Sequence, residues 1–192
     1  MRYSAEHKAQ TREKLLEAAH RALHAGGAEG LGVAGVTADA GLTHGAFYAH
    51  FESKEALVAE TVSRASVRMR ERFVQRTAGL SPADAFRAQI DHYLSPAHLE
   101  MMAGCLLPAL SNDAVRVGGA VRDSYEQNAE TLVELMQSLV DGLGLNDPHL
   151  ARSMTAEMVG ALSLARAAHD EAHTQRILEA SHDALLRRVG LA

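Results

Sequence analysis

The sequence predicts an all-α protein of about nine helices. Apolar residues recur at intervals of three and four, and no stretch alternates with period two. Ala, Leu, Glu, Arg and Met, all good helix formers, dominate the chain. Three prolines follow a residue able to cap a helix, in SPAD, SPAH and NDPH.

The first helix is expected over about 9–25, where Leu15, Leu16, Ala19 and Leu23 form one apolar face. Gly26 and Gly27 end it, because glycine takes the left-handed conformation at a helix C-terminus without steric cost. Short helices follow near 33–39 and 44–50. The first of these, the second helix of the chain, has Gly32 and Gly35 near its start, each costing about 1 kcal/mol against alanine in a helix interior. Ser53, with Glu55 in the first turn, starts a long helix reaching about 75. Further starts lie at Ser81, Ser95 and Asn146 to Pro148, and Pro108 is expected to kink or break the helix around it. The last three helices are expected over about 118–141, 148–168 and 171–188.

Composition narrows the function classes. A chain of 192 residues, 47% hydrophobic and 22% charged, can bury a sizeable core. No apolar run approaches the length of a membrane span and no leader pattern is seen, so a cytoplasmic protein is expected. One cysteine, Cys105, excludes an internal disulfide framework and a multi-cysteine zinc site. The net charge of −5 argues against non-specific coating of nucleic acid, so any such contact is confined to a local basic surface. No nucleophile–base arrangement, phosphate-cradling glycine loop or metal triad points to an enzyme or a cofactor.

The segment AGLTHGAFYAHFESKEAL, residues 40–57, is the most informative. A short helix, a turn containing glycine and a second short helix make a helix-turn-helix pattern, whose second helix enters the major groove. Val36, Ala40, Leu42, Phe47 and Phe51 supply its small core. Thr43 is expected to cap the reading helix, Gly45 to let the backbone approach a phosphate, and Tyr48 and His50 to offer polar groups to phosphates.

These residues resemble the DNA-binding domain of the tetracycline-repressor (TetR/AcrR) family of transcriptional regulators. Tyr48, His50, Phe51, Ser53, Lys54, Glu55 and Leu57, preceded by Ala-Gly-Leu-Thr, carry the likeness, which extends over about 9–60. It implies a DNA-binding domain at 1–56 and a helical ligand-binding and dimerisation domain at 57–192. Thr43, His44, Gly45, Tyr48, His50 and Lys54 would then face DNA, with Thr11 and Arg12 next. The partners implied are a palindromic operator on double-stranded DNA, a second copy of the chain joined through the last two helices, and a small-molecule inducer. In this scheme a small tilt of the long fourth helix would alter the spacing of the two reading heads, and half-sites about 34–36 Å apart tolerate little change.

For the inducer, Phe73, Tyr93, Met101, Met102, Cys105, Met136 and Met158 are candidate lining residues, although each also suits an ordinary core. Two other inputs or roles stay open: a repressor sensing oxidants or electrophiles through Cys105, and an all-helical carrier without DNA binding. His169 and His173 stand four apart without an evident third ligand, so a solvated pair is expected. Arg64, Arg68, Arg72 and Arg76 form a stripe at spacing four, expected to be a solvated helix face.

Overall fold

The computed structural model describes residues 5–100 and 105–191. Ten helices and no strand are found among them: α1 (Ala5–Gly30), α2 (Val33–Asp39), α3 (His44–Tyr48), α4 (Lys54–Thr77), α5 (Pro82–Tyr93), α6 (Pro96–Glu100), α7 (Leu107–Val117), α8 (Gly119–Gly142), α9 (Pro148–Arg166) and α10 (Glu171–Arg188). The predicted all-α class holds.

Local capping chemistry places most of the helix starts. Ser53 Oγ accepts the Ala56 N–H at 3.0 Å, and Ser81 Oγ accepts that of Asp84 at 3.2 Å. Ser95 Oγ accepts the His98 N–H at 3.0 Å, while Asp147 accepts those of His149 and Leu150. Asp170 starts α10 in the same way through His173 N–H, at 2.7 Å. Pro108 departs from expectation. It lies in the first turn of α7, where its missing N–H costs nothing, and so opens a helix instead of breaking one. The break in α1 falls where the double glycine predicts, with Gly27 at φ 63°, but one further helical turn, to Gly30, follows it.

The chain divides into two compact units. The first runs to Ala65 and takes in Cys105–Gln127. In it α1 packs on α2 and α7, and α2 packs on α3. Its core joins Leu15, Leu23, Leu31, Phe47 and Leu57 to Leu106 and Leu110. Asp113 on α7, 9% exposed, accepts the buried Ala28 N–H at 2.6 Å, which ties α7 to the break in α1. The second unit starts at Ser66 and resumes at Asn128. There α10 packs on α9, α5 and α6 around Phe86, Ile90, Leu132, Met136, Met154 and Leu185. Inside it, Asn128 donates to Ser66 Oγ at 2.7 Å between two buried side chains.

Candidate nucleic-acid interface

The helix-turn-helix is built on α2 and α3. α2 begins at Gly32 without a side-chain cap. Its buried Thr37 turns inward and bonds back to the carbonyls of Val33 and Ala34. The chain reverses at Gly41, whose φ of 68° favours glycine, while Leu42 N–H closes the turn on Thr37 O at 2.8 Å. Val36, Phe47 and Phe51 are buried, and Ala40 and Leu42 pack against the same core. Phe47 stacks on Phe51 with centroids 5.8 Å apart. One apolar anchor therefore leaves the rest of α3 facing outward.

Thr43, His44, Gly45 and Tyr48 are all exposed, Tyr48 to 61%. The His44 and Tyr48 rings meet edge-on at 5.6 Å, one turn apart on the same face. Thr43 occupies the N-cap position of α3, but its side chain makes no capping bond, contrary to expectation; the backbone carbonyl accepts Ala46 N–H instead. Nothing lies within 4 Å of the position a Cβ on Gly45 would take. Lys54 is half-buried at the first residue of α4, beside an open cleft that it shares with Glu29, Glu55 and Arg116.

The two candidates on α1 sit differently. Thr11 is 8% exposed. The guanidinium of Arg12 is held on three sides: both Glu60 carboxylate oxygens accept from it, the His50 carbonyl accepts from Nη1, and the Phe51 ring lies 4.3 Å away. Other arginines of this unit are likewise on acids: Arg21 on Asp39, Arg64 on Glu13, and Arg116 on Asp113 and Glu29.

Lys8, one turn before Arg12, has no ion pair among the described residues and is exposed. With Ala5, Ala9, Arg12, Ala49 and His50 it lines an open cleft of about 340 Å³. His50 is half-buried there, and its Nδ1 is buried without a hydrogen-bond partner. Burial, reinforced by the positive charges of Lys8 and Arg12, lowers its pKa, so the ring is neutral near pH 7. With Nδ1 enclosed, Nε2 is the nitrogen left to donate. Sequence reasoning missed Lys8; its spacing of four from Arg12 was the available signal, since it places both on one face of α1.

Of the candidate inducer-lining residues, Phe73, Tyr93, Met136 and Met158 are buried in the second unit, none more than 8% exposed. Cys105 is half-buried and belongs to the first unit. Met101 and Met102 lie outside the described residues. His169 and His173 are exposed, and no group of three metal-ligating side chains occurs among the described residues. No helix among them is long and apolar enough to cross a membrane.

Residues 15–61 match the family described as bacterial regulatory proteins, tetR family. No curated protein matches the sequence. Among solved structures, the reduced form of Escherichia coli NemR superposes with a TM-score of 0.81 at 20% identity, covering 93% of this chain and 96% of that one. A TetR-family transcriptional regulator from Agrobacterium tumefaciens gives 0.80 at 18% identity, covering 92% and 98%. A TetR transcriptional regulator from Chloroflexus aurantiacus gives 0.77 at 22% identity, covering 96% of each chain. At such identities the likeness is one of fold.

Proposed function

We propose that this chain, a member of the TetR family of bacterial regulatory proteins, is a ligand-responsive repressor that binds a palindromic operator as a homodimer and is released by a small molecule. The observation that carries the reading is the division of α3: Phe47 is fully buried while Thr43, His44, Gly45 and Tyr48 are presented outward together. A helix so anchored fits a major groove, and its polar face has no use in a core.

DNA binding would reside in residues 1–56, and ligand binding and dimerisation in 57–192. Thr43, His44 and Tyr48 would meet bases and phosphates, and Gly45 would allow close backbone approach. Lys8, Lys54 and the neutral Nε2 donor of His50 would take the phosphates. Thr11 and Arg12 would act from inside the fold, holding α1 to α4 and the end of α3. α9 and α10 would form the dimer seam. α4 runs from Lys54 to Thr77 and so takes in residues of both units; in this reading one helix would carry both a phosphate contact and residues of the ligand-binding part. An inducer would act by fitting better to the conformation that does not bind DNA, a differential of about 1–3 kcal/mol in typical cases. A repressor working on chromosomal DNA places the protein in the cytoplasm.

A second input is kept because of one contact. Cys105 is half-buried near Tyr125, whose hydroxyl pKa is raised by burial and by the neighbouring thiol. Oxidant or electrophile sensing at that thiol would use the same DNA-binding head. Treating wild type and Cys105→Ser with peroxide separates the two inputs, since only the thiol reading predicts that wild type leaves DNA while the serine variant stays bound.

The primary test is selection of genomic fragments by the purified protein, then titration of the enriched fragment at two salt concentrations with wild type and Tyr48→Ala. A palindromic site, weakened by salt and by the substitution, is the expected result. If no fragment is enriched over bulk DNA, the regulator reading gives way to a carrier without DNA binding.

A further inference from the structure

The arginine stripe on α4 does not end as a uniformly solvated face. Arg76 is only partly exposed, and its Nη1 donates at 2.7 Å to Oε1 of Gln89 on α5, a neutral side chain that is 4% exposed. Elsewhere in the same unit Arg70, Arg152 and Arg188 rest on Glu134, Glu130 and Glu157. Arg76 has no acid partner among the described residues, and a half-buried cation hydrogen-bonded to a neutral amide recovers less of its desolvation cost than one facing a carboxylate.

The neighbours of Arg76 add to its positive charge. Arg72 lies one turn earlier on α4. His92, one turn beyond Gln89 on α5, is half-buried, with its ring 4.8 Å from that of His98 on α6. Burial, then the charges of Arg76 and Arg72, push His92 down to about 4. Burial and Arg72 push Arg76 below its ordinary value as well. The adjacent carboxylate, Asp91, is engaged by His182 of α10 at 2.7 Å. Gln89 spends its carbonyl oxygen on Arg76, which leaves its amide N–H groups as donors.

We propose that Arg76, Gln89 and His92 form an oxyanion seat in the second unit, and that the small molecule acting on this protein carries a carboxylate or phosphate group bound there. The guanidinium supplies charge and a planar fork, the Gln89 amide a second donor, and His92 a ring that takes up a proton as the anion arrives. The seat rests on the ligand-responsive reading for its purpose, but not for its existence.

The test uses the full-length protein and inorganic phosphate, with sodium chloride at equal ionic strength as control. The His92 ring resonance, assigned by its disappearance in His92→Gln, is followed through pH by NMR. Phosphate is expected to move the His92 midpoint upward by a unit or more, and chloride is not. In Arg76→Gln the midpoint rises without any added anion and phosphate no longer moves it, whereas Arg76→Lys keeps the depressed midpoint and weakens the phosphate response. Identical wild-type titrations in phosphate and chloride would overturn the seat. Operator binding measured alongside separates the two ideas. A phosphate-dependent midpoint confirms the seat even if the operator fragment stays bound, and that outcome would remove only its role in induction.

Discussion

Arg12 and Glu60, 48 residues apart, close a two-pronged ion pair between α1 and α4, and the same guanidinium covers the Phe51 ring and holds the His50 carbonyl. Each member is a little over a third exposed, so screening limits the pair to at most about 1 kcal/mol, with a similar amount from the ring contact. Arg12→Ala is therefore expected to cost about 1–2 kcal/mol in urea unfolding. Its effect on operator binding should leave the slope of log K against log salt unchanged if, as proposed, Arg12 holds the fold and makes no phosphate contact. Lys8→Ala should instead reduce that slope by about 0.9 with stability intact, the amount one phosphate contact contributes. A reduced slope for Arg12→Ala and none for Lys8→Ala would reverse the two roles.

Two histidines give stability opposite dependences on pH. His92 is depressed to about 4, so the folded state disfavours its proton; stability is complete above the unfolded value of 6.5 and falls as pH drops from there toward 4. For His182 burial acts downward, but hydrogen bonds to Asp91 and Asp183 and their charges outweigh it, and the pKa rises. Its contribution is complete below 6.5 and is lost as pH climbs through the raised value. Thermal melts across pH 4 to 8 should accordingly show a shallower acid limb in His92→Gln and a flatter neutral limb in His182→Gln. Parallel curves for either variant and wild type would dismiss the corresponding linkage.

Where the sequence was legible, the governing physics was local. Ser81, Ser95 and Asp147 cap the next helix through bonds within three residues, and Phe47 among polar neighbours already marks the inward face of α3. Pro108 was misread because no polar cap precedes it: Leu106 holds the cap position, so a helix start looked like an interruption. The spacing of four puts Lys8 and Arg12 on one face of α1, but which of the two an acid engages could not be read from it. Arg12 is engaged because Glu60 folds back onto it, and Arg76 differs from Arg70 in having the neutral Gln89 opposite where Arg70 has Glu134. Pairing across long chain separations decides which charges remain for a partner.

Glycines in the reading head separate stability from contact. Gly35 in α2 and Gly45 in α3 have negative φ and open space where a Cβ would stand. Alanine at either position should raise stability by roughly 0.5–1 kcal/mol through helix propensity. For Gly45→Ala, operator affinity should nevertheless fall if, as proposed, the backbone approaches a phosphate where the added methyl would stand. A variant that is both more stable and binds equally well would show that α3 does not come so close to DNA at that residue.

Gly27 and Asp113 form the junction between α1 and α7, and here glycine is required for two reasons. Its φ is 63°, and a Cβ would lie 2.5 Å from Asp113 Oδ2, the atom that accepts the Ala28 N–H. Gly27→Ala must therefore distort the backbone or displace a buried carboxylate. Asp113→Ala removes the acceptor and leaves a buried N–H unsatisfied, at a cost of about 1–3 kcal/mol. Arg116 would lose its second acid but keep Glu29, so most of the loss belongs to the Ala28 bond. Gly27→Ala is expected to match or exceed the Asp113→Ala loss, and the double variant to be less destabilised than the sum, because removing the carboxylate also removes the clash. Urea unfolding of the two single variants and the double variant measures this directly. Strict additivity would mean that the α1 break and the α7 carboxylate do not meet as described.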